Sequence, residues 1–111
     1  KLLRLNCRES ENLYLTAEVL QALGTDWERA RQQICEKAGG FGRKAEAVRR
    51  SADQDRQWGD FKGVINELAA LLDPQKMHWA VRVGKVLAQG RPKGELADFL
   101  GSEVLQALWP S

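Results

Sequence analysis

Histidine and cysteine, the side chains most used in metal sites and disulfides, are scarce in this sequence. Its 111 residues include one histidine, His78, and two cysteines, Cys7 and Cys35. No cysteine or carboxylate lies at metal-ligand spacing from His78 on its predicted helix, which argues against a zinc site. We interpret His78 as a partly exposed helix residue. The cysteines form no Cys-x-x-Cys motif, which predicts reduced thiols in a cytoplasmic protein.

The motifs of ATP and metal binding are also missing. The glycines at 39–42 are not followed by a lysine-serine or lysine-threonine pair, so they do not form a phosphate-binding loop. Residues 53–55 have the spelling Asp-x-Asp but follow no apolar strand. No stretch approaches the roughly 18 apolar residues of a membrane span, so no membrane partner is expected. The sequence therefore predicts no complete active site and no cofactor within these residues.

The composition is that of one ordinary globular domain. The chain is 43% hydrophobic and 29% charged, with 17 basic and 15 acidic residues and a net charge of +2. This balance does not by itself indicate a nucleic-acid partner. The sequence starts at Lys1 without a signal-peptide layout. We interpret it as the interior of a longer chain whose upstream domains are its expected partner, and its oligomeric state stays open.

Apolar residues recur at helical spacing along most of the chain and predict an all-α fold, a compact bundle of about five to seven helices. A short strand at residues 1–6 is compatible with the apolar residues there. We expect residues 1–15 to join an upstream domain and residues 16–111 to form a single helical domain. The predicted helices cover residues 16–24, 25–38, 43–57, 60–72, 74–89, 95–100 and 102–108.

Local signals mark several helix ends. Thr16 and Thr25 are predicted N-caps, and Glu28 completes a capping-box pattern with Thr25. Pro74 suits the first turn of the fifth helix. That helix has two apolar faces in the sequence, which predicts a central helix packed on both sides, with Gly84 allowing a close neighbour.

Two helices have cations that are candidates for nucleic-acid contact. The third predicted helix is rich in basic residues, but acidic residues dilute its field and no aromatic residue alternates with them to stack bases. The fifth helix has a polar stripe of His78, Arg82, Lys85 and Gln89, which favours either phosphate contact or a solvated edge. The six candidates are Arg43, Lys44, Arg49, Arg50, Arg82 and Lys85.

One segment near the N-terminus resembles a known family. Residues 5–16, Leu-Asn-Cys-Arg-Glu-Ser-Glu-Asn-Leu-Tyr-Leu-Thr, are similar to the Arg-x-x-Glu-Asn-x-x-Leu stretch late in ATPases of the overcoming-lysogenization-defect (OLD) type. Those proteins join an ABC-like ATPase to a TOPRIM nuclease-like domain. The matching residues are Arg8, Glu11, Asn12, Leu15, Thr16 and Glu18.

The resemblance implies a position just after the last TOPRIM strand. Arg8 and Glu11 would then be catalytic residues at the border of a site completed elsewhere, with Glu11 helping to hold Mg²⁺ or Mn²⁺. ATP and Mg²⁺ or Mn²⁺ are implied for the whole protein, in defence against foreign DNA or in nucleic-acid repair. The structural alternative is that Glu11 and Asn12 fix a corner of the chain through backbone hydrogen bonds.

Three functions follow from these observations. The first is a C-terminal helical module of an ATP-dependent TOPRIM-type endonuclease, which braces the nuclease domain and contacts DNA or a partner. The second is a helical protein-interaction domain without a catalytic or nucleic-acid role. The third is a small DNA-binding module of the helix-turn-helix kind, which is disfavoured because Asp26, Trp27 and Glu28 would face the bases.

Overall fold

The computed structural model describes residues 3–110, which fold into helices and connecting turns with no β-strand, as the sequence pattern predicts. Two 3₁₀-helices span Ser10–Leu15 and Ala38–Lys44, the second interrupted at Phe41 and Gly42. The α-helices are α1 (Ala17–Ala22), α2 (Trp27–Lys37), α3 (Ala45–Ser51), α4 (Ile65–Leu72), α5 (Trp79–Leu87), α6 (Glu95–Leu100) and α7 (Ser102–Leu108).

The strand expected at residues 1–6 is absent from its described part, residues 3–6; residues 1 and 2 lie outside the described range. Asn6 attaches this segment to the end of α6. Its backbone N–H donates to the carbonyl oxygen of Phe99 at 2.8 Å, and its side-chain amide donates to that of Asp98 at 3.0 Å. The N-terminal segment is therefore held by a helix end and not by a sheet.

One apolar core runs through the molecule. The apolar stripes of α1, α2, α4 and α6 meet there, and the first 3₁₀-helix contributes the fully buried Tyr14 and Leu15. Burying a large apolar side chain contributes about 1.5–3 kcal/mol, so this convergence is the main source of stability. The packing continues across residue 15, since Leu13 to Thr16 are all buried.

Helices α1 and α6 cap each other at their N-termini. Glu95 of α6 accepts a hydrogen bond from the backbone N–H of Ala17 at 2.8 Å. Glu18 of α1 accepts from the backbone N–H groups of Gly94 at 3.1 Å and Leu96 at 3.0 Å. Carboxylates at helix N-termini accept hydrogen bonds from free N–H groups and interact favourably with the positive end of the helix dipole. Thr16 precedes α1 as predicted, but its hydroxyl donates to the carbonyl of Leu13, so the cap comes from Glu95.

The predicted start of the second helix was one residue early. Asp26 is the N-cap of α2, because its carboxylate accepts from the backbone N–H of Arg29 at 2.9 Å. The predicted capping box of Thr25 and Glu28 is therefore wrong. Gly24, which has a φ of +83°, ends the preceding turn.

The predicted third helix, residues 43–57, is wrong beyond Ser51. Residues 52–64 instead form a folded loop, here called the α3–α4 loop. The carboxylate of Asp55 accepts from the backbone N–H groups of Gln57 at 2.7 Å and Trp58 at 3.1 Å, and Gln54 accepts from that of Asp60 at 3.0 Å. Such side-chain bonds compete with the helical hydrogen bonds and end the helix.

The fourth and fifth helices begin later than predicted, at Ile65 and Trp79. Pro74 lies in a turn before α5 and not in its first turn, and Lys76 in that turn has a φ of +52°. His78 is the N-cap of α5, since its ring Nδ1 accepts from the backbone N–H of Ala80 at 3.1 Å. The lone histidine therefore has a capping role just outside its helix.

The expectation of a two-faced, central fifth helix is also wrong. Val83 is buried and Trp79 packs against the core, whereas Val81 on the other face is 51% exposed. A Cβ atom added to Gly84 would meet no atom of the described residues within 4 Å, so none of the described helices packs closely there. Within residues 3–110, no helix is both long and apolar enough to cross a membrane.

Candidate nucleic-acid interface

Three basic side chains from the α3 region line one groove. Arg43 and Lys44 end the second 3₁₀-helix, and Arg50 lies in the last turn of α3. Asp60 and Gly63 of the α3–α4 loop also line it. The groove has a volume of about 430 Å³ and is called the basic groove below; its complete lining is Arg43, Lys44, Ala47, Arg50, Gln54, Asp60, Gly63 and Val64.

The cations of the basic groove differ in how strongly they are engaged. Arg43 and Arg50 are exposed and form no ion pair within the described part of the chain. Lys44 donates to the carbonyl oxygen of Gly63 at 3.1 Å and pairs with Glu67 at 3.4 Å. The Lys44 side chain is 54% exposed, and surface ion pairs contribute about 0–1 kcal/mol, so an incoming anion can compete with Glu67 for Lys44. Two guanidinium groups and one ammonium group are therefore available to an anionic ligand.

Arg49 belongs to a different surface from Arg50. It lies in a second groove together with Glu36, Glu46 and Cys35, on the side of α3 that faces the end of α2. The two adjacent arginines project about 100° apart around the helix axis, which separates their surroundings. The structure therefore divides the predicted basic helix: Arg43, Lys44 and Arg50 come together, and Arg49 is set among carboxylates.

Arg8, which the resemblance placed at a catalytic edge, lies beside the basic groove. Its guanidinium approaches the carboxylate of Asp60, a groove residue, at 3.8 Å, and both side chains are more than half exposed. Its backbone N–H donates to the carbonyl of Gln57 at 2.9 Å. The fold thus brings a residue of the N-terminal motif next to cations that lie far away in the sequence.

Asn12 fixes the α3–α4 loop from inside. It is fully buried, and its side-chain amide donates to the carbonyl oxygens of Arg56 at 2.8 Å and Gly59 at 3.0 Å. Its side-chain oxygen accepts from the backbone N–H of Glu9 at 3.1 Å. All polar atoms of this side chain are used in holding backbone, which supports the structural alternative for Asn12.

Arg56 attaches the same loop to the first 3₁₀-helix and to α6. Its guanidinium pairs with both carboxylate oxygens of Glu95, at 2.6 and 3.0 Å, and donates to the carbonyl of Leu15 at 3.0 Å. It also lies over the ring of Trp27, 5.3 Å from its centroid. Paired guanidinium-carboxylate contacts fix geometry as well as distance. Together with Asn12, Arg56 gives the loop a rigid base.

Glu11 has a less complete set of contacts. One oxygen of its carboxylate accepts from the hydroxyl of Ser10 at 3.4 Å, and the other is buried without a hydrogen-bond partner among residues 3–110. No group of three or more histidine, cysteine, aspartate or glutamate side chains in the described residues is arranged to hold a metal ion. A metal role for Glu11 would need ligands from another domain or chain.

The residues of the polar stripe predicted on the fifth helix lie in different environments. Arg82 is turned inward, where its Nε and Nη2 atoms contact the two oxygens of the fully buried Asp73 at 3.0 Å each. This pair is neither a solvated edge nor a phosphate site. Lys85 is exposed, but no residue of α5 lines the basic groove. The structure therefore does not bring the cations of α5 and α3 together.

The sequence pattern missed Trp58. Its side chain is 52% exposed in the α3–α4 loop, whereas Trp27, Trp79 and Trp109 pack against the core. In the sequence no aromatic residue alternates with the basic residues of the third predicted helix, and this pattern does not predict an exposed tryptophan near them. The prediction of a helix over residues 43–57 did not indicate an exposed loop at residue 58, whereas residues 52–64 form a loop in the structure. The turn-forming run Asp-Gln-Asp at 53–55 was the available signal.

The chemistry of the basic groove suits an anion better than a small apolar ligand. Pockets for small molecules are lined mainly by apolar side chains, and Ala47 and Val64 are the only apolar side chains in this lining. Guanidinium groups donate paired hydrogen bonds that match phosphate oxygens. With three cations and one carboxylate, the groove can hold the phosphates of a nucleic-acid backbone.

Comparison with known proteins adds no family to this description. No protein-family model matches the chain, and no curated protein and no solved structure was found to be similar to it.

Proposed function

We propose that this chain is a helical module that holds the phosphate backbone of a nucleic acid in its basic groove and has no complete active site of its own. The observation behind the proposal is the convergence of Arg43, Lys44 and Arg50 on one groove, with both guanidinium groups free of ion pairs in the described chain. Contacts of this type position a nucleic acid without reading its sequence.

The setting of this module is proposed from the resemblance of residues 5–16 to OLD-type proteins. In that setting it is the C-terminal part of an ATP-dependent TOPRIM-type nuclease. It braces the nuclease domain and holds the strand near it, while ATP and Mg²⁺ or Mn²⁺ bind in upstream domains. The position of Arg8 beside Asp60 supports this arrangement, since the N-terminal motif and the basic groove then face the same ligand.

The test is a binding assay on a variant without the groove cations. Arg43→Ala/Lys44→Ala/Arg50→Ala removes three exposed positive charges; of these, Lys44 also loses its contacts with Gly63 and Glu67. Opposite unit charges about 4 Å apart in water attract by about 1 kcal/mol. Three phosphate contacts then amount to about 3 kcal/mol, or roughly a 100-fold loss of affinity at low salt. Fluorescence anisotropy of a labelled DNA measures it.

The matched control is Arg49→Ala/Lys85→Ala/Lys93→Ala. These three exposed cations lie outside the basic groove, and their removal changes the net charge by the same amount. The proposal requires the control to bind nearly as tightly as the parent. An equal loss of affinity in both variants would mean that binding depends on net charge and not on the basic groove. Unchanged binding by the groove variant would favour the protein-interaction alternative.

The absence of a complete active site is tested separately. We expect the chain to show neither ATP hydrolysis nor DNA cleavage with Mg²⁺ or Mn²⁺. Cleavage that is measurable and is lost in Glu11→Gln would mean that Glu11 belongs to a site assembled within this chain.

A further inference from the structure

Among residues 3–110, Trp58 is the one large aromatic side chain that is more than half exposed. A tryptophan buries more apolar area than any other residue when it packs, and half exposure forgoes much of that stabilisation. Single exposed apolar residues are common on protein surfaces. Exposure alone therefore does not indicate a function for Trp58, and the residues near it have to be considered.

Trp58 is not itself part of the groove lining, but it lies in the chain between two residues that are. Asp60, two residues later, lines the groove and pairs with Arg8, and Gln54 lines it from the start of the same loop. Two peptide units span at most about 7 Å, so the backbone of Trp58 lies within that distance of the groove lining. The loop that contains the exposed indole therefore borders the basic groove, so one strand of nucleotides can extend from the groove cations to this loop.

The backbone around Trp58 is held rigidly. The buried Asn12 binds the carbonyl of Gly59 on one side, and Asp55 accepts from the N–H of Trp58 itself at 3.1 Å. At Gly59 an added Cβ atom would lie 2.5 Å from the carbonyl oxygen of Asp55, so the loop is closed tightly at that point. Because the backbone is already ordered, a base that stacks on the indole does not have to order the loop as well.

We infer that the basic groove binds single-stranded nucleic acid, with phosphates on its cations and an unpaired base stacked on Trp58. This inference rests on the proposed function and specifies its ligand. Stacking on an aromatic side chain requires a base whose face is free, which a duplex does not offer except at its ends. The contacts involve the base face and the phosphates, which DNA and RNA share.

The experiment compares ligands and variants of the full chain. Labelled single strands of about 15 nucleotides, one of DNA and one of RNA, and the matching DNA duplex are titrated by anisotropy at low salt. Trp58→Ala should weaken binding of both single strands by about five- to 150-fold and binding of the duplex by less than about twofold. Trp58→Phe keeps an aromatic face and should retain most of the affinity. In the parent, single strands should quench tryptophan fluorescence more than in Trp58→Phe.

Leu108→Ala is the matched control, because it removes a side chain that is 54% exposed on α7, away from the groove. Thermal unfolding of each variant checks the fold. If the groove variant loses both ligand types and Trp58→Ala loses neither, the stacking inference is overturned and the proposed function stands. Equal losses of single strand and duplex in Trp58→Ala also overturn stacking. If the groove variant itself is unaffected, the proposed function fails.

Discussion

The ion pair between Asp73 and Arg82 provides a quantitative test of the fold. Asp73 has a fully buried carboxylate, Arg82 is 13% exposed, and two hydrogen bonds of 3.0 Å join them. Removing one partner of a buried pair leaves the other charge uncompensated and costs about 3–5 kcal/mol. Arg82 also donates to the side-chain oxygen of Gln75 at 2.9 Å. Because Asp73→Ala leaves this hydrogen bond in place, we expect the free energy of unfolding to fall by about 3 kcal/mol, the lower end of that range.

Urea unfolding followed by tryptophan fluorescence measures this loss as a change in the free energy of unfolding. The matched control is Asp53→Ala, which breaks the exposed pair between Asp53 and Arg31, where the side chains are 78% and 40% exposed. Exposed pairs contribute about 0–1 kcal/mol. A loss in Asp73→Ala no larger than in this control would refute the role of the buried pair.

The same pair predicts a dependence on pH. Burial raises the pKa of Asp73, but the hydrogen bonds from Arg82 and from the backbone of Gln75 outweigh it, and the pKa lies below its ordinary value of 3.8. A carboxyl group whose folded pKa is depressed contributes stability above its unfolded pKa and loses it as the pH falls through the folded pKa. The difference between parent and Asp73→Ala should therefore be constant near neutral pH and shrink in acid below about pH 4. A difference that stays constant down to pH 2 would contradict the assignment.

Three further predictions concern two buried polar side chains and the two cysteine thiols. Tyr14→Phe should stabilise the fold by about 1 kcal/mol, because the Tyr14 hydroxyl is buried without a partner among residues 3–110; a loss in urea unfolding would mean that the hydroxyl is bonded. Asn12→Leu should cost about 3 kcal/mol, since three hydrogen bonds, including that to Gly59, are lost, and a change below about 1 kcal/mol would contradict it. A thiol reagent should modify the exposed Cys35 rapidly but Cys7 only on unfolding, because Cys7 is buried and burial raises its pKa to about 11; equal rates would disprove this.

The sequence predicts the C-terminal part of this fold well. The observed bounds of α6 and α7 match the predicted helices, and Gly101 between them has a φ of +85°. These boundaries depend on local signals, a glycine and a short apolar stripe, that no distant contact overrides.

The middle of the chain could not be predicted in the same way. The α3–α4 loop is fixed by Asn12 and by Arg56, whose partners are about 40 or more residues away in sequence. A sequence pattern with helical spacing contains no information about such partners. The missed exposure of Trp58 and the missed loop are consequences of the same long-range contacts.

The candidate site was predicted as residues but not as a group. Arg43, Lys44 and Arg50 were candidates from the sequence, yet so were Arg49 and Arg82. The difference depends on which side of α3 faces the loop and on the turn that brings Asp73 to Arg82. Neither is visible in the composition of a helix.

The salt dependence of binding tests the central claim, phosphate contact by the basic groove, most directly. For a single strand, the logarithm of the binding constant falls against the logarithm of the salt concentration with a slope of about −0.7 per phosphate contact, or about −2.1 for Arg43, Lys44 and Arg50. The account predicts this slope in the parent and in Arg49→Ala/Lys85→Ala/Lys93→Ala, and a slope near zero in Arg43→Ala/Lys44→Ala/Arg50→Ala. Equal slopes in the parent and the groove variant would contradict it.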